Sequence, residues 1–348
     1  MLGPVTIVSP FFILPGGNHP SNATQPRRRY QPAITLCLSV IGAGQYASRT
    51  LLPALAQAGA RWRVLVDNGG PRGPALAAQH SFAVHASDLA TALTDPATAA
   101  VLIATRHDSH ADLTVRALKA GKHVFVEKPL ALTQPDIDRI EALHAASSRV
   151  LMVGFNRRFS PHTVALKAAL ARAPAPPAMI MTVNAGALPS GHWAADPAQG
   201  GRIVGEACHF IDLLRHLAGA PIVEVVADRL RPPATPAADD TATITLTFAN
   251  GALGTVHYLA NGHARVPKER LEVFVAGRVY TLDNFRRTRA HGDPGFRSVT
   301  TTRPDKGQVR MADAFLAAVA GTTPPPIPTD ELFEVARATL LAAELARG

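Results

Sequence analysis

Lys128 and His209 are the side chains whose surroundings best suit them to hydride chemistry at a carbinol carbon. In such a reaction the hydroxyl proton must leave as the hydride departs, so a base has to take it. A cation nearby favours the alkoxide-like transition state. Lys128 follows the apolar strand pattern His123–Val126, inside Glu127-Lys128-Pro129, and Pro129 fixes the backbone behind it and is a candidate for a cis bond. By itself a lysine after a strand is usually solvated. His209 falls on a helix expected over about Val204–Leu217, with Phe210, Leu213, Leu214 and Leu217 as its core stripe. His209, Asp212 and His216 share another face, within about 60° at 100° per residue, which places Asp212 to orient or charge the imidazole. That spacing fits a cleft-lining face and a plain water-facing face equally well.

A place for a redox partner lies upstream. Gly42-x-Gly44-x-x-Ala47 sits where an apolar strand turns into a helix. Gly42 suits the tight turn, Gly44 leaves the backbone bare for phosphates, and Ala47 lets the helix approach the strand. A pyrophosphate there meets the free N–H groups of the helix start. Plain turn glycines are the alternative. Asp67 ends the next strand, where a carboxylate accepts from ribose hydroxyls. Because a carboxylate repels a 2′-phosphate, NAD is favoured, while Asn68-Gly69-Gly70 and Arg72 leave NADP open. Ala104 and Thr105 end a further strand at the same edge, so Thr105 or Arg106 is placed to touch the cofactor. His110 reads as a helix cap or packing residue.

The elements that must hold these groups alternate. Strands are expected over Ile34–Ile41, Arg61–Val66, Val101–Ala104, His123–Val126 and Val150–Phe155. Helices are expected over about Gln45–Ala58, where Pro53 is placed to kink it, Ala111–Ala120 and Gln134–Ala146. This rhythm predicts a doubly wound α/β sheet. After Phe155 come strands with few helices between them: Met179–Asn184, Ile222–Arg229, Ala242–Phe248, Leu253–Leu259 and Leu271–Val275, with a hairpin at Ala249-Asn250-Gly251. They read as a mostly antiparallel sheet in an α+β unit, followed by helices over about Val309–Ala320 and Asp330–Ala346. The expected organisation is a poorly ordered arm or linker at 1–33, a dinucleotide domain at 34–155, and a substrate and oligomerisation domain at 156–348.

Length and composition narrow the classes. A chain of 348 residues suits two domains. No apolar run approaches the roughly 18 residues of a membrane span. The formal charge of +9 comes from scattered arginines rather than a reader motif, so an anionic cofactor or acidic sugar explains it better than nucleic acid. Val5–Leu14 lacks the flanks of a secretory signal. Cys37 and Cys208 cannot build a disulfide framework, which favours a reducing cytosol and a cytoplasmic location. No metal site is expected.

Taken together, Gly-Ala-Gly-Gln-Tyr-Ala at 42–47, Ile-Ala-Thr at 103–105, Glu-Lys-Pro-Leu at 127–130, Gly-Phe-Asn-Arg-Arg-Phe at 154–159 and His-x-x-Asp at 209–212 resemble the Gfo/Idh/MocA oxidoreductases. The resemblance runs over about Leu38–Arg347. It implies a Rossmann domain followed by an open antiparallel sheet, catalytic roles for Lys128 and His209, and a sugar, polyol or nucleotide-sugar substrate. Gln45, Tyr46 and Glu127, within those motifs, join the expected cofactor contacts. Among polar residues of the second domain, Asn156 and Arg157, just past a strand end, lead the expected substrate contacts, with Asn184 and, at the helix start, Glu206; His192, Trp193, His257, Asn261 and Lys268 are further candidates, His192 and His257 fitting a structural role equally well. Many members carry Asp four residues before the histidine, where this chain has Gly205 and, beside it, Glu206. Stretches such as Thr105–His110 and Val183–Trp193 look like the C-terminal half of bi-domain enzymes whose other half resembles a zinc alcohol dehydrogenase. A half-enzyme served by a separate chain and a redox-silent nucleotide sensor are therefore the rival expectations. An exposed sheet face predicts a homodimer or homotetramer.

Overall fold

The computed structural model describes residues 36–70, 72–189, 191–230 and 241–347; the expected arm at 1–33 lies outside them. β1 (Cys37–Ile41) is buried on both faces, as its largely apolar sequence requires, with the hydroxyl of its one buried serine, Ser39, bonded to Thr98, and Gly42 ends it. The helix that follows starts with a π-wound stretch, Ala47–Leu51, and continues as α1 (Leu52–Gln57). Pro53 has no N–H to give the ladder, and the bond from the Leu52 N–H to the Ala47 carbonyl widens the turn just ahead of it. Where a kink is expected, the helix carries a π-wound stretch just ahead of Pro53.

The series continues with β2 (Arg61–Val66), α2 (Arg72–Gln79), β3 (Val84–Ala86), α3 (Leu89–Leu93), β4 (Thr98–Ile103), α4 (His110–Lys119), β5 (His123–Val126), α5 (Gln134–Ala145) and β6 (Leu151–Val153). α2, β3 and α3 are too short or too weakly patterned to stand out in the sequence. All six strands run parallel in the order β3-β2-β1-β4-β5-β6. The order reverses between β1 and β4, which opens a crevice at their carboxyl ends.

Beyond Phe155 the chain forms α6 (Pro161–Leu170), β7 (Ala178–Asn184), α7 (Cys208–Ala218), β8 (Ile222–Arg229), β9 (Ala242–Phe248), β10 (Leu253–Leu259), β11 (Glu269–Val275), β12 (Arg278–Asp283), β13 (Arg287–His291) and β14 (Val299–Thr300). Eight strands lie in the order β14-β13-β12-β11-β7-β10-β9-β8, antiparallel except at β7 and β10. The hairpin at 249–251 joins β9 to β10, with Gly251 at φ +84°. One face of this sheet is buried; the other shows Val226, Ile180 and Phe274 in neighbouring registers, 55%, 37% and 42% exposed.

The last two helices, α8 (Gln308–Val319) and α9 (Thr329–Arg347), return to the first layer. Phe315 meets Phe125 of β5 edge to face at 5.4 Å, and Arg337 pairs with Asp138 and Glu141 of α5. The buried side chains of both sheets form one continuous apolar cluster. Between β7 and α7 the chain crosses the crevice, and this crossing brings His209 toward Lys128.

Candidate active site

Five strand ends, those of β2, β1, β4, β5 and β6, lie side by side. The Gly42 N–H donates to Val66, Ala104 to Ile41, Glu127 to Ile103 and Gly154 to Val126, at 2.8–2.9 Å. Gly42 has φ +105°, and a Cβ there would lie 2.6 Å from the Ala104 carbonyl oxygen, so only glycine makes this turn. A Cβ on Gly44 would meet nothing closer than the Ala104 carbonyl oxygen at 3.9 Å. The turn is therefore closed on the sheet side and open on the crevice side, which fits a dinucleotide phosphate. Asp67 stands at the end of β2 as expected, yet its carboxylate is 6% exposed. Oδ1 accepts from the Gly69 N–H at 2.6 Å, and Oδ2 faces His85 Nε2 at 3.3 Å. Thr105 lies in the crevice with its hydroxyl on Ser109, while Arg106 turns out to stack over Trp193 at 5.1 Å.

Next to this turn is a cavity of about 400 Å³ that gathers Tyr46, Glu127, Lys128, Glu206, His209 and Asn156. Lys128, ahead of a cis Pro129, donates from Nζ to the Gly205 carbonyl at 2.8 Å. Gly205 lies in a π-wound turn, Ile203–Ala207, at the start of the α7 helix. One contact anchors the ammonium and leaves two protons for a ligand. His110, the expected packing residue, holds the segment from behind: its Nδ1 bonds the Pro129 carbonyl at 2.7 Å.

His209 is 6% exposed, and its Nδ1 has no hydrogen-bond partner. Burial, then the cations Arg157, Lys128, Lys306 and Lys268, hold the imidazole well below its ordinary pKa. It is therefore neutral near pH 7 and able to accept a proton. Glu127 is buried against Gly154, and burial pushes its carboxyl up to about 7 against the pull of Lys128 and Arg157. Glu206 is held at about 2, because Lys268, Tyr258 and Arg202 outweigh the opposing effect of burial.

Several expected roles are corrected. Asp212 does not orient His209: it is 0% exposed and takes a two-pronged bond from Arg158, which also reaches Glu331. His216 lies outside the cavity beneath Arg158 and Lys167, and burial lowers it to about 3. Arg157 borders the cavity, but its fork is committed to Glu269 at 3.0 and 2.7 Å, so it acts on His209 through its charge rather than as an open substrate clamp. Asn184 is not in the cavity; its amide ties the carbonyls of His263 and Val266. Asn156 borders the cavity with its amide on the Lys306 carbonyl. His257 bonds Thr243 within the sheet, while Lys268 reaches the site through Glu206. Lys306 and His107 line the cavity and were not anticipated. The usable signal for His107 was its place just past the end of β4.

Arg158–Asp212 is a buried pair of a kind whose disruption destabilises by about 3–5 kcal/mol. Asp212→Asn is therefore expected to lower the free energy of unfolding by about that amount while kcat stays within a few fold, measured by urea unfolding and initial rates. Loss of activity with unchanged stability would return Asp212 to the chemistry.

A larger cavity of about 1210 Å³ opens between β8 and α9, but neither Lys128 nor His209 borders it. Among the described residues no helix is long and apolar enough to cross a membrane, and both cysteines are free.

Residues 37–155 match the oxidoreductase family with an NAD-binding Rossmann fold, and residues 176–279 match the GFO/IDH/MocA C-terminal domain. The chain is 33% identical over 224 residues to a myo-inositol 2-dehydrogenase of Thermotoga maritima, covering 58% of this chain and 63% of that protein. It is 32% identical over 239 residues to an inositol 2-dehydrogenase of Paracoccus denitrificans, covering 66% and 69%. A probable dehydrogenase from Thermotoga maritima superposes with a TM-score of 0.75 at 25% identity, over 90% of this chain and 96% of the other. A levoglucosan dehydrogenase solved with NADH and levoglucosan shares the fold, with a TM-score of 0.74 at 23% identity over 89% and 97%.

Proposed function

Since the chain belongs to the Gfo/Idh/MocA oxidoreductase family with its NAD-binding Rossmann domain, we propose that it moves a hydride between NAD and a carbinol of a cyclic polyol or sugar. The observation that carries this is the meeting of Lys128 and a neutral, unpartnered His209 in one cavity beside the Gly42–Gly44 turn. The named activities of the inositol and levoglucosan dehydrogenases support the substrate class.

Gly42, Gly44, Gln45 and Tyr46 would hold the pyrophosphate end of the dinucleotide, and Ala104, Thr105 and Glu127 the part near the crevice, while Asp67, its oxygens engaged by Gly69 and His85, would act near the ribose through its charge. When bound, the nicotinamide supplies the hydride acceptor. Lys128 directs its free ammonium protons at the carbinol oxygen and steadies the negative charge that grows there. His209 takes the hydroxyl proton as the carbonyl forms, and returns it in the reverse direction. Glu206, ionised and fixed by Lys268, Tyr258 and Arg202, accepts from a substrate hydroxyl. Asn156 places a further polar group at the wall, and Arg157 keeps His209 in its neutral form. The carboxylate at Asp67 favours NAD over NADP.

The exposed face carrying Ile180, Val226 and Phe274 is covered by a second copy of the chain in this reading, and the free cysteines suit a cytoplasmic setting. The test is steady-state oxidation of a panel of cyclitols, pyranoses and anhydrosugars with NAD and with NADP, followed by nicotinamide absorbance. The expected result is turnover of at least one cyclic polyol, faster with NAD. Tight NADH binding with no turnover across the panel would replace the enzyme with a nucleotide sensor.

A further inference from the structure

The ring of His107 stands where a side chain at residue 205 would stand. A Cβ on Gly205 would lie 2.6 Å from His107 Cε1 and 3.3 Å from its Nδ1, closer than packed atoms approach. The two residues come from different parts of the chain, one from the loop after β4 and one from the turn before α7. His107 is 5% exposed, and its ring is fixed from several sides. Nδ1 lies 2.9 Å from the Gln199 carbonyl oxygen, Trp193 meets it edge-on at 4.9 Å, and His110 lies at 5.7 Å.

A carbonyl oxygen only accepts, so in the neutral ring Nδ1 carries the proton and Nε2 carries the lone pair. Burial lowers the imidazole to about 4, a shift that the Gln199 bond opposes and the charge of Lys128 reinforces. Among the described residues Nε2 has no hydrogen-bond partner, and His107 lines the same cavity as Lys128, Glu206 and His209. Lys128 offers only donors to a ligand, and the Glu206 carboxylate, with Lys268, Tyr258 and Arg202 already on its oxygens, has room for one substrate hydroxyl.

We propose that His107, whose ring occupies the space that a residue-205 side chain would otherwise fill, is a specificity-determining residue whose Nε2 accepts a hydrogen bond from a second hydroxyl of the polyol. The inference rests on the polyol-oxidising reading above. It makes the pocket wall at this point a neutral acceptor, suited to a hydroxyl donor. An analogue lacking that hydroxyl leaves Nε2 unpaired in a buried place, and a site of that kind rejects such analogues.

Two near-isosteric variants separate this role from a structural one. In His107→Asn the amide nitrogen takes the place of Nδ1 and keeps the Gln199 bond, while the acceptor toward the cavity is lost. In His107→Gln the amide reaches the place of Nε2, and the Gln199 bond is lost. With myo-inositol and NAD, H107N is expected to lower kcat/KM by about tenfold to a hundredfold, mainly through KM. NADH affinity by fluorescence titration and the thermal midpoint should stay near wild type, and H107Q should recover part of the loss. One mono-deoxy inositol should be as poor for wild type as myo-inositol is for H107N, with no further loss when the two are combined.

Wild-type kcat/KM in H107N would overturn the inference while leaving the proposed function standing. So would a loss that follows thermal stability and is recovered by neither variant's retained bond. Calorimetric titration of myo-inositol into the NADH complexes of wild type and H107N gives a second readout independent of turnover. If wild type neither binds nor oxidises any cyclitol, the proposed function falls and takes this inference with it.

Discussion

Replacing Lys128 by methionine is expected to lower kcat by about a thousandfold while leaving NADH affinity near that of the wild type. Methionine keeps much of the stem and removes the ammonium. The Nζ atom is held 2.8 Å from the Gly205 carbonyl, so its position does not depend on substrate. A preorganised donor aimed at developing negative charge contributes about 10²–10³ in kcat, and its charge in a buried cavity adds to that. A thousandfold corresponds to about 4 kcal/mol of barrier. The phosphate turn at Gly42–Gly44 and the Asp67 carboxylate lie outside the change, which is why binding of the dinucleotide should survive. Removing a nearby cation also relieves part of the pressure that holds His209 low, so the residual activity should lose its acid tolerance. Steady-state rates and fluorescence titration of NADH check both halves. Wild-type turnover in K128M would remove Lys128 from the reaction.

His209→Asn is the second large effect, with an expected fall of about a hundredfold to a thousandfold in the oxidative kcat. Asparagine has no basic nitrogen; His107, which also offers a lone pair to this cavity, engages a second hydroxyl in the reading above, and His110 has both ring nitrogens on carbonyl oxygens. The pH profile carries the sharper information. Because His209 is depressed from its ordinary value, its base form is present at pH 7 and persists as pH falls through 6.5. The acid limb of wild-type kcat/KM for oxidation should therefore lie below the ordinary imidazole range. In H209N that limb should vanish, with the remaining activity rising toward alkaline pH. A wild-type limb at the ordinary imidazole value that survives in H209N would place the proton acceptor elsewhere.

The parts of this site that could be read from the chain are those fixed by local geometry. Gly42 and Gly44 follow a strand, Lys128 follows another, and both locations are dictated by a parallel sheet whose strands end at one edge. His209 was legible as a member of a helix face. Its partners were not, because the helix period says which residues share a face and nothing about what packs against it. Asp212 shares that face, yet Arg158, 54 residues earlier in the chain, takes its carboxylate. Arg157 likewise looked like an open clamp until β11 brought Glu269 to it from 112 residues away. Glu206, in the π-wound turn before α7, does border the cavity, paired with Lys268. His107 was hidden for a related reason. Its role depends on the absence of a side chain at Gly205, and such a vacancy is visible only when both segments are in place.

Direct hydride transfer is the central claim, and an isotopic label tests it most directly. Wild-type protein is supplied with NAD and with myo-inositol, or whichever cyclic polyol turns over best, deuterated at the reacting carbinol carbon. The reduced dinucleotide is then analysed by mass spectrometry. The account predicts that the NADH formed carries the deuterium, and that K128M and H209N form it far more slowly from an equally saturated complex. NADH that forms without the label, or labelled NADH formed at the wild-type rate by both variants, would contradict it.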